Sequence, residues 1–204
     1  MKDDLRSLFP ALAKEPDWVY LDSAATAHKP KVVIDAMRDF YADGYATVHR
    51  SIYAKSLAAT EKYHGTRLSA QRFLHAKEVE EIVFTKGTTD GINLVASSLS
   101  TFFEKGDEIL LSEAEHHSNL VPWQMLAQKK GAILRFIPID DRGVLDMQTY
   151  SSLLNPKTKL VAICHMSNVT GTVHPIKEIV RLAHQMNAKV LVDGAQAAAH
   201  MPVD

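Results

Sequence analysis

Four short stretches hold the side chains best placed to act on a ligand, and each begins where an apolar run stops. The run Lys189-Val190-Leu191-Val192 ends at the carboxylate of Asp193, with Gln196 three residues on. A carboxylate at the end of an inner strand is driven toward its neutral form unless a positive charge lies beside it, so this stretch implies a cationic partner. After Phe84 comes Thr85-Lys86-Gly87-Thr88-Thr89, where glycine permits close approach and two threonines open a helix. Backbone N–H groups and hydroxyls there suit a phosphate, although the same residues also read as an ordinary helix cap. After Leu111 comes Ser112-Glu113-Ala114-Glu115-His116-His117-Ser118-Asn119. Its imidazoles suit stacking on a planar ligand or simple solvation; the carboxylates match no zinc spacing, so no metal site is expected. After Cys164 comes His165-Met166-Ser167-Asn168, where Asn168 offers either an amide at a strand end or a turn residue bonding its own backbone.

One ligand satisfies all four stretches: an aromatic cation that carries a phosphate. The phosphate would rest on Thr88 and Thr89, a ring would stack under a histidine, and the ring nitrogen would pair with Asp193. Gln196 or Asn168 would reach a phenolic oxygen. That description is met by pyridoxal phosphate, whose protonated ring is an electron sink for carbanions formed at a bound amino acid.

These stretches need a frame that brings strand ends together. Short apolar runs at 81–84, 108–111, 133–137, 159–164 and 189–192 read as strands. They alternate with helical patterns, of which 88–103 aligns Ile92, Val95, Leu99, Phe102 and Phe103, and 175–187 aligns Ile176, Ile179, Val180, Ala183 and Met186. The pattern predicts an α/β fold with a mostly parallel sheet covered by helices on both faces, over residues 81–204. In such sheets ligands bind beyond the carboxyl ends of the strands, where the four stretches lie. Residues 1–80 read differently: a short strand Trp18-Val19-Tyr20-Leu21, a helix near 31–41 and a longer one over 56–74. With no low-complexity linker or internal repeat, this segment is expected to form an N-terminal arm packed on the α/β body.

Composition narrows the function classes. With 23 Lys+Arg against 24 Asp+Glu, and no basic run interleaved with aromatics, the chain lacks the phosphate-contacting charge of a nucleic-acid binder. The spacing Gly87-x-x-x-Gly91 is not the dinucleotide fingerprint. The single cysteine, Cys164, sits inside an apolar run, cannot form an internal disulfide and suits a reducing compartment. The first residues lack a basic-then-apolar leader pattern, and no apolar stretch reaches the ~20 residues of a bilayer span. A cytoplasmic protein without membrane segments is expected.

At the level of ordered motifs the sequence resembles the class V aminotransferases of pyridoxal-phosphate fold type I, and within them the SufS-like group II cysteine desulfurases, a group that includes selenocysteine lyases. The matching stretches are Tyr20-Leu21-Asp22-Ser23-Ala24-Ala25, Val48-His49-Arg50, Gly87-Thr88-Thr89 with Gly91-Ile92-Asn93-Leu94-Val95, Glu115-His116-His117 with Asn119 and Val121-Pro122-Trp123-Gln124, Ser167-Asn168 with Gly171, and Val192-Asp193-Gly194-Ala195-Gln196-Ala197. The resemblance implies that Thr88 and Thr89 hold the cofactor phosphate, His116 stacks on the pyridine ring, Asp193 pairs with its nitrogen and Gln196 reaches its phenolic oxygen. Asn168 then lies beside cofactor and substrate carboxylate, and Ala24, Ala25 and His49 border the substrate. Read without the resemblance, Asp22-Ser23-Ala24-Ala25 is a helix cap and His49-Arg50 a surface pair. Where the family commonly has arginine before Gly-Thr-Thr this chain has Lys86, which keeps the charge but loses the planar fork. After His49-Arg50, Ser51 and Tyr53 stand in place of a usual glycine and histidine.

The resemblance also implies two residues that are not found here. Family members attach the cofactor through a lysine in a Ser-x-His-Lys motif beyond the Asp-x-x-Gln strand, and receive sulfur on a cysteine far toward the C-terminus. Neither occurs among residues 1–204, and Cys164 belongs to a core strand. The chain therefore reads as the N-terminal portion of such an enzyme, with the rest of the large domain and a small C-terminal domain missing and no catalytic residue of its own. Turnover by this chain alone is not expected, and cofactor binding would be noncovalent at most. For the complete protein the resemblance implies a homodimer that converts L-cysteine to L-alanine, passing sulfur to an enzyme thiol and on to an acceptor protein for iron–sulfur clusters. The remaining readings are selenocysteine lyase acting on L-selenocysteine, another class V aminotransferase or kynureninase-like enzyme, and a non-catalytic truncated scaffold. Half a sheet exposes an edge and an apolar face, so association is expected.

Overall fold

A computed structural model describes residues 5–203. The chain divides into two compact units, Met1–Ile82 and Val83–Asp204.

No strand forms in the N-terminal unit among the described residues. It contains a 3-10 turn at Leu5–Leu8, the short helix α1 (Pro10–Ala13), α2 (Lys31–Asp39), which runs into a π-turn at Phe40–Gly44, and the long α3 (Ala54–Phe73). Proline opens α1, where its missing N–H costs nothing. The Arg6 guanidinium donates to the carbonyl oxygens of Leu12, Glu15 and Trp18, tying the segment together. Trp18–Leu21 is irregular and joins no sheet among the described residues, which corrects the expected strand. A β pattern needs a neighbouring ladder, and here the Trp18 carbonyl is taken by Arg6 while the Tyr20 hydroxyl donates to the carbonyls of Asp22 and Thr26.

The second unit is built on a four-stranded sheet in the order β2-β1-β3-β4, with every pairing parallel. The strands are β1 (Glu108–Ser112), β2 (Ile133–Ile137), β3 (Thr158–Cys164) and β4 (Lys189–Asp193). Around them run α4 (Thr88–Leu99), α5 (Val121–Lys130), α6 (Met147–Leu153), α7 (Ile176–Gln185) and the short α8 (Ala197–His200). β1 and β3 lie centrally and are buried on both faces, as parallel strands under two helix layers must be. Ile109, Leu111, Leu160 and Ala162 face one core with Ile92, Ala96, Trp123 and Leu126. Leu110, Val161 and Ile163 face the other with Tyr150, Ile179 and Ala183. Alternate strand residues thus feed opposite layers.

The expected strand at 81–84 does not form. Val79–Glu81 is a 3-10 turn, and Val83 and Phe84 stand 64% and 44% exposed, with no strand beside them among the described residues. A β-branched run without a partner edge has nothing to hold it in a ladder. No helix among the described residues is long and apolar enough to cross a membrane.

Candidate functional site

The carboxyl ends of β1, β3 and β4 and the start of α4 carry the predicted site residues of the second unit. α4 opens at Gly87, whose φ of +148° is strained for side-chain-bearing residues, and no side chain caps its first turn. Thr88 and Thr89 are therefore the first helical residues, not the cap that a local reading allows. Both are exposed, and the helix start leaves N–H groups available to an anion. Lys86 is held back through its own N–H, which donates to Asp90 Oδ2 at 3.1 Å.

From β1 the chain enters a 3-10 turn, His117–Asn119, capped by His116. The His116 Nδ1 accepts from the Ser118 N–H at 3.1 Å and lies 3.0 Å from the Ser118 hydroxyl. Ser118 Oγ in turn sits 2.7 Å from Thr89 Oγ1, so the α4 start and the histidine loop are joined by one hydroxyl pair. His117 is exposed, its ring centroid 6.1 Å from that of His116. No group of three or more His, Cys, Asp or Glu among the described residues is arranged to hold a metal ion.

Beneath this loop lies a buried polar network that the sequence reading missed. Glu115 Oε1 accepts from the Ser112 hydroxyl and from the Cys164 N–H at 2.9 Å, and Oε2 accepts from Asn119 Nδ2 at 2.7 Å. Asn119 Oδ1 accepts from the Trp123 indole at 3.0 Å, and both residues are fully buried. Burial pushes the Glu115 carboxyl above the usual carboxylate range, while these donors pull the other way. The available signal is Glu115 itself, three residues beyond the strand-ending Ser112, in a stretch whose carboxylates match no metal spacing.

Asp193 ends β4 beside Cys164 and is 8% exposed. Its Oδ1 accepts from the Ala195 N–H at 3.0 Å, and its backbone carbonyl accepts from the His165 N–H at 2.9 Å. No cation pairs with its carboxylate among the described residues. A carboxylate so sheltered and so poorly matched fits a protonated ring nitrogen, and the uncapped α4 start fits a phosphate. Gln196 is half-buried and opens α8. Asn168 is exposed in the loop after β3, where a bridge between Met166 and Val173 closes the base. The turn bonds there belong to Ser167, whose hydroxyl accepts from the N–H groups of Val169 and Thr170, so Asn168 is not spent on its own backbone.

Cys164 is a core residue, as its apolar neighbours suggest. Burial pushes its thiol up, and the Glu115 and Asp193 carboxylates push it further, which removes the thiolate a nucleophile requires. Beside it the buried His174 ring has its Nδ1 2.9 Å from the Cys164 carbonyl oxygen.

The remaining three predicted residues belong to the N-terminal unit. Ala24 and Ala25 are exposed in a turn where the N–H groups of Ala25 and Thr26 donate to the Asp22 carbonyl; no helix follows, so the cap reading is corrected. His49 is held at a φ of +62°, a conformation non-glycine residues rarely adopt, with its N–H donating to Thr60 Oγ1 at 3.1 Å. Its ring packs edge-on against His64 and Tyr63, at 4.8 and 5.4 Å between centroids. Neither neighbour stood out in the sequence.

The aminotransferase class-V family matches residues 19–204. A cysteine desulfurase of Shigella sonnei is 52% identical over 206 residues, an alignment covering 99% of this chain and 51% of that protein. Among solved structures, the apo cysteine desulfurase of Thermococcus onnurineus superposes with a TM-score of 0.93 at 40% identity, over 100% of this chain and 50% of that one. A mutant of C-DES with glycine covalently linked to the PLP cofactor matches with a TM-score of 0.76 at 25% identity, over 98% of this chain and 51% of that one. The chain spans about half the length of the curated relatives it matches.

Proposed function

The chain belongs to the class V aminotransferase family, and on that premise we propose that it is the N-terminal portion of a pyridoxal-phosphate-dependent cysteine desulfurase of the SufS-like group II. The observation that carries this reading is Asp193: a carboxylate 8% exposed at a strand end, with one oxygen fixed by its own turn and no cation beside it among the described residues. Pyridoxal phosphate, when bound, supplies an electron sink for negative charge developing at the alpha carbon of an amino acid.

In this reading the chain's own residues bind and orient. Thr88 and Thr89 receive the phosphate at the start of α4, where first-turn N–H groups and the helix dipole favour an anion. His116 covers one ring face, Asp193 keeps the ring nitrogen protonated, and Gln196 and Asn168 contact the phenolic oxygen and the substrate carboxylate. Ala24, Ala25 and His49 border the substrate, L-cysteine. The desulfurase names of the relatives support the reaction class. The complete protein is proposed to be a cytoplasmic homodimer passing sulfur to an acceptor for iron–sulfur cluster assembly. The sole cysteine of this chain is buried in β3, in keeping with a reducing compartment and with a sulfur-accepting thiol supplied from outside this chain.

Titrating this chain with pyridoxal phosphate tests the reading. A saturable absorbance change is expected, weakened by about tenfold or more in Asp193→Ala, since a charge-assisted hydrogen bond is worth ~1.5–3 kcal/mol. A flat response at millimolar cofactor overturns it.

A further inference from the structure

We propose that Ser118 is a positioning residue that fixes the tautomer of His116 and couples its ring to the hydroxyl of Thr89. The backbone N–H of Ser118 points at His116 Nδ1 at 3.1 Å. An amide N–H can only donate, so Nδ1 must carry a lone pair and the ring proton must sit on Nε2. The imidazole is thereby presented as a neutral ring whose one donor faces away from the turn. The adjoining chain is held from below on both sides: Glu115 is anchored to Ser112 and to the Cys164 N–H, and Asn119 to Glu115 and Trp123. The turn that aims the Ser118 N–H is therefore fixed by the core and does not depend on a ligand.

The Ser118 hydroxyl adds a second link. It lies 3.0 Å from His116 Nδ1 and 2.7 Å from Thr89 Oγ1. With Nδ1 unprotonated, only the serine can donate across the first contact. Thr89 then donates to Ser118, leaving Thr89 Oγ1 without a proton to offer elsewhere. An anion seated on Thr89 needs that hydroxyl proton, so Thr89 must turn its donor outward and Ser118 must redirect its own from Nδ1 to Thr89 Oγ1. Occupation of the α4 start thus removes one of the two donors at His116 Nδ1 without changing the ring tautomer. This second part rests on the reading of Thr88 and Thr89 as an anion seat; the tautomer does not.

Long-range proton–nitrogen correlation on the ¹⁵N-histidine-labelled chain tests both parts. The His116 ring is assigned by its loss in His116→Asn, where the asparagine oxygen caps the same N–H and keeps the turn. The expected free-state pattern is protonated Nε2 with unprotonated Nδ1; a protonated Nδ1, or a mixture of tautomers, overturns the proposal. On addition of inorganic phosphate the Nδ1 resonance should shift in the parent chain and shift by less than half as much in Ser118→Ala. Equal shifts in the two overturn the coupling. Should the Thr89 amide itself fail to move, the anion seat falls, while the tautomer measured without phosphate still decides the lock.

Discussion

Truncating Glu115 to alanine should destabilise the second unit by about 2–4 kcal/mol. The carboxylate is the common acceptor for three donors from β1, β3 and the turn before α5. Without it the Cys164 N–H and the Asn119 side-chain amide, both in buried residues, lose their acceptor, whereas the Ser112 hydroxyl can rotate elsewhere. Each buried donor left unpaired costs ~1–3 kcal/mol, so two give about 2–6. Burial that pushes the Glu115 carboxyl upward shows that desolvation outweighs its donors, and removing the group recovers part of that cost. The assay is urea unfolding followed by tryptophan fluorescence, since Trp123 ends the same network. With a slope of ~2 kcal/mol per molar urea, the midpoint should fall by about 1–2 M. The pH dependence supplies an independent check. An acid whose folded pKa is raised binds its proton more tightly in the native state, so its contribution is fullest below its unfolded value of ~4.3 and is lost as pH rises through the folded value. The parent should lose stability over that interval, and Glu115→Ala should lack this part of the slope. A midpoint change equivalent to less than about 0.5 kcal/mol would mean that the network is not coupled to folding, and the reasoning would fail.

Other perturbations separate binding from folding. Asp193→Asn keeps an oxygen for the Ala195 N–H, so unfolding should change little while affinity for pyridoxal phosphate falls by about tenfold or more, read by absorbance titration. Thr88→Val combined with Thr89→Val should weaken pyridoxal phosphate far more than pyridoxal, because only the former presents a phosphate; equal losses would refute the α4 seat. Gly143→Ala should cost roughly 1–3 kcal/mol in urea unfolding, since its φ is +74° and an added Cβ would lie 2.9 Å from Thr170 Oγ1. The chain alone should release no alanine from L-cysteine, because Cys164 is buried with its thiol held protonated; alanine production would overturn that assignment. In size-exclusion chromatography it should elute as an associated species, given large exposed side chains such as Ile52 at 92% and Leu21 at 90%.

What the sequence could announce was whatever burial pattern and strand ends determine. Leu160–Cys164 is apolar because both faces of β3 are covered, and Asp193 is conspicuous because it closes the apolar run of β4, which is the outer strand of this sheet among the described residues and not the inner one expected. Those are one-dimensional signals. The runs at 18–21 and 81–84 carry the same apolar signature yet join no sheet among the described residues, because strand formation depends on a partner edge that a local window does not contain. Glu115 and Ser118 escaped for a related reason. Their meaning lies in bonds to Cys164 and Thr89, 49 and 29 residues away, and such pairings are set only when parallel strands bring their ends together. The histidine could therefore be picked out by type, but the tautomer that decides what it can donate is fixed by the residue two places on. Chemistry at this sheet edge is legible in the side chains that face a ligand and hidden in those that hold them; the latter are where substitution should alter binding without touching any residue that contacts it.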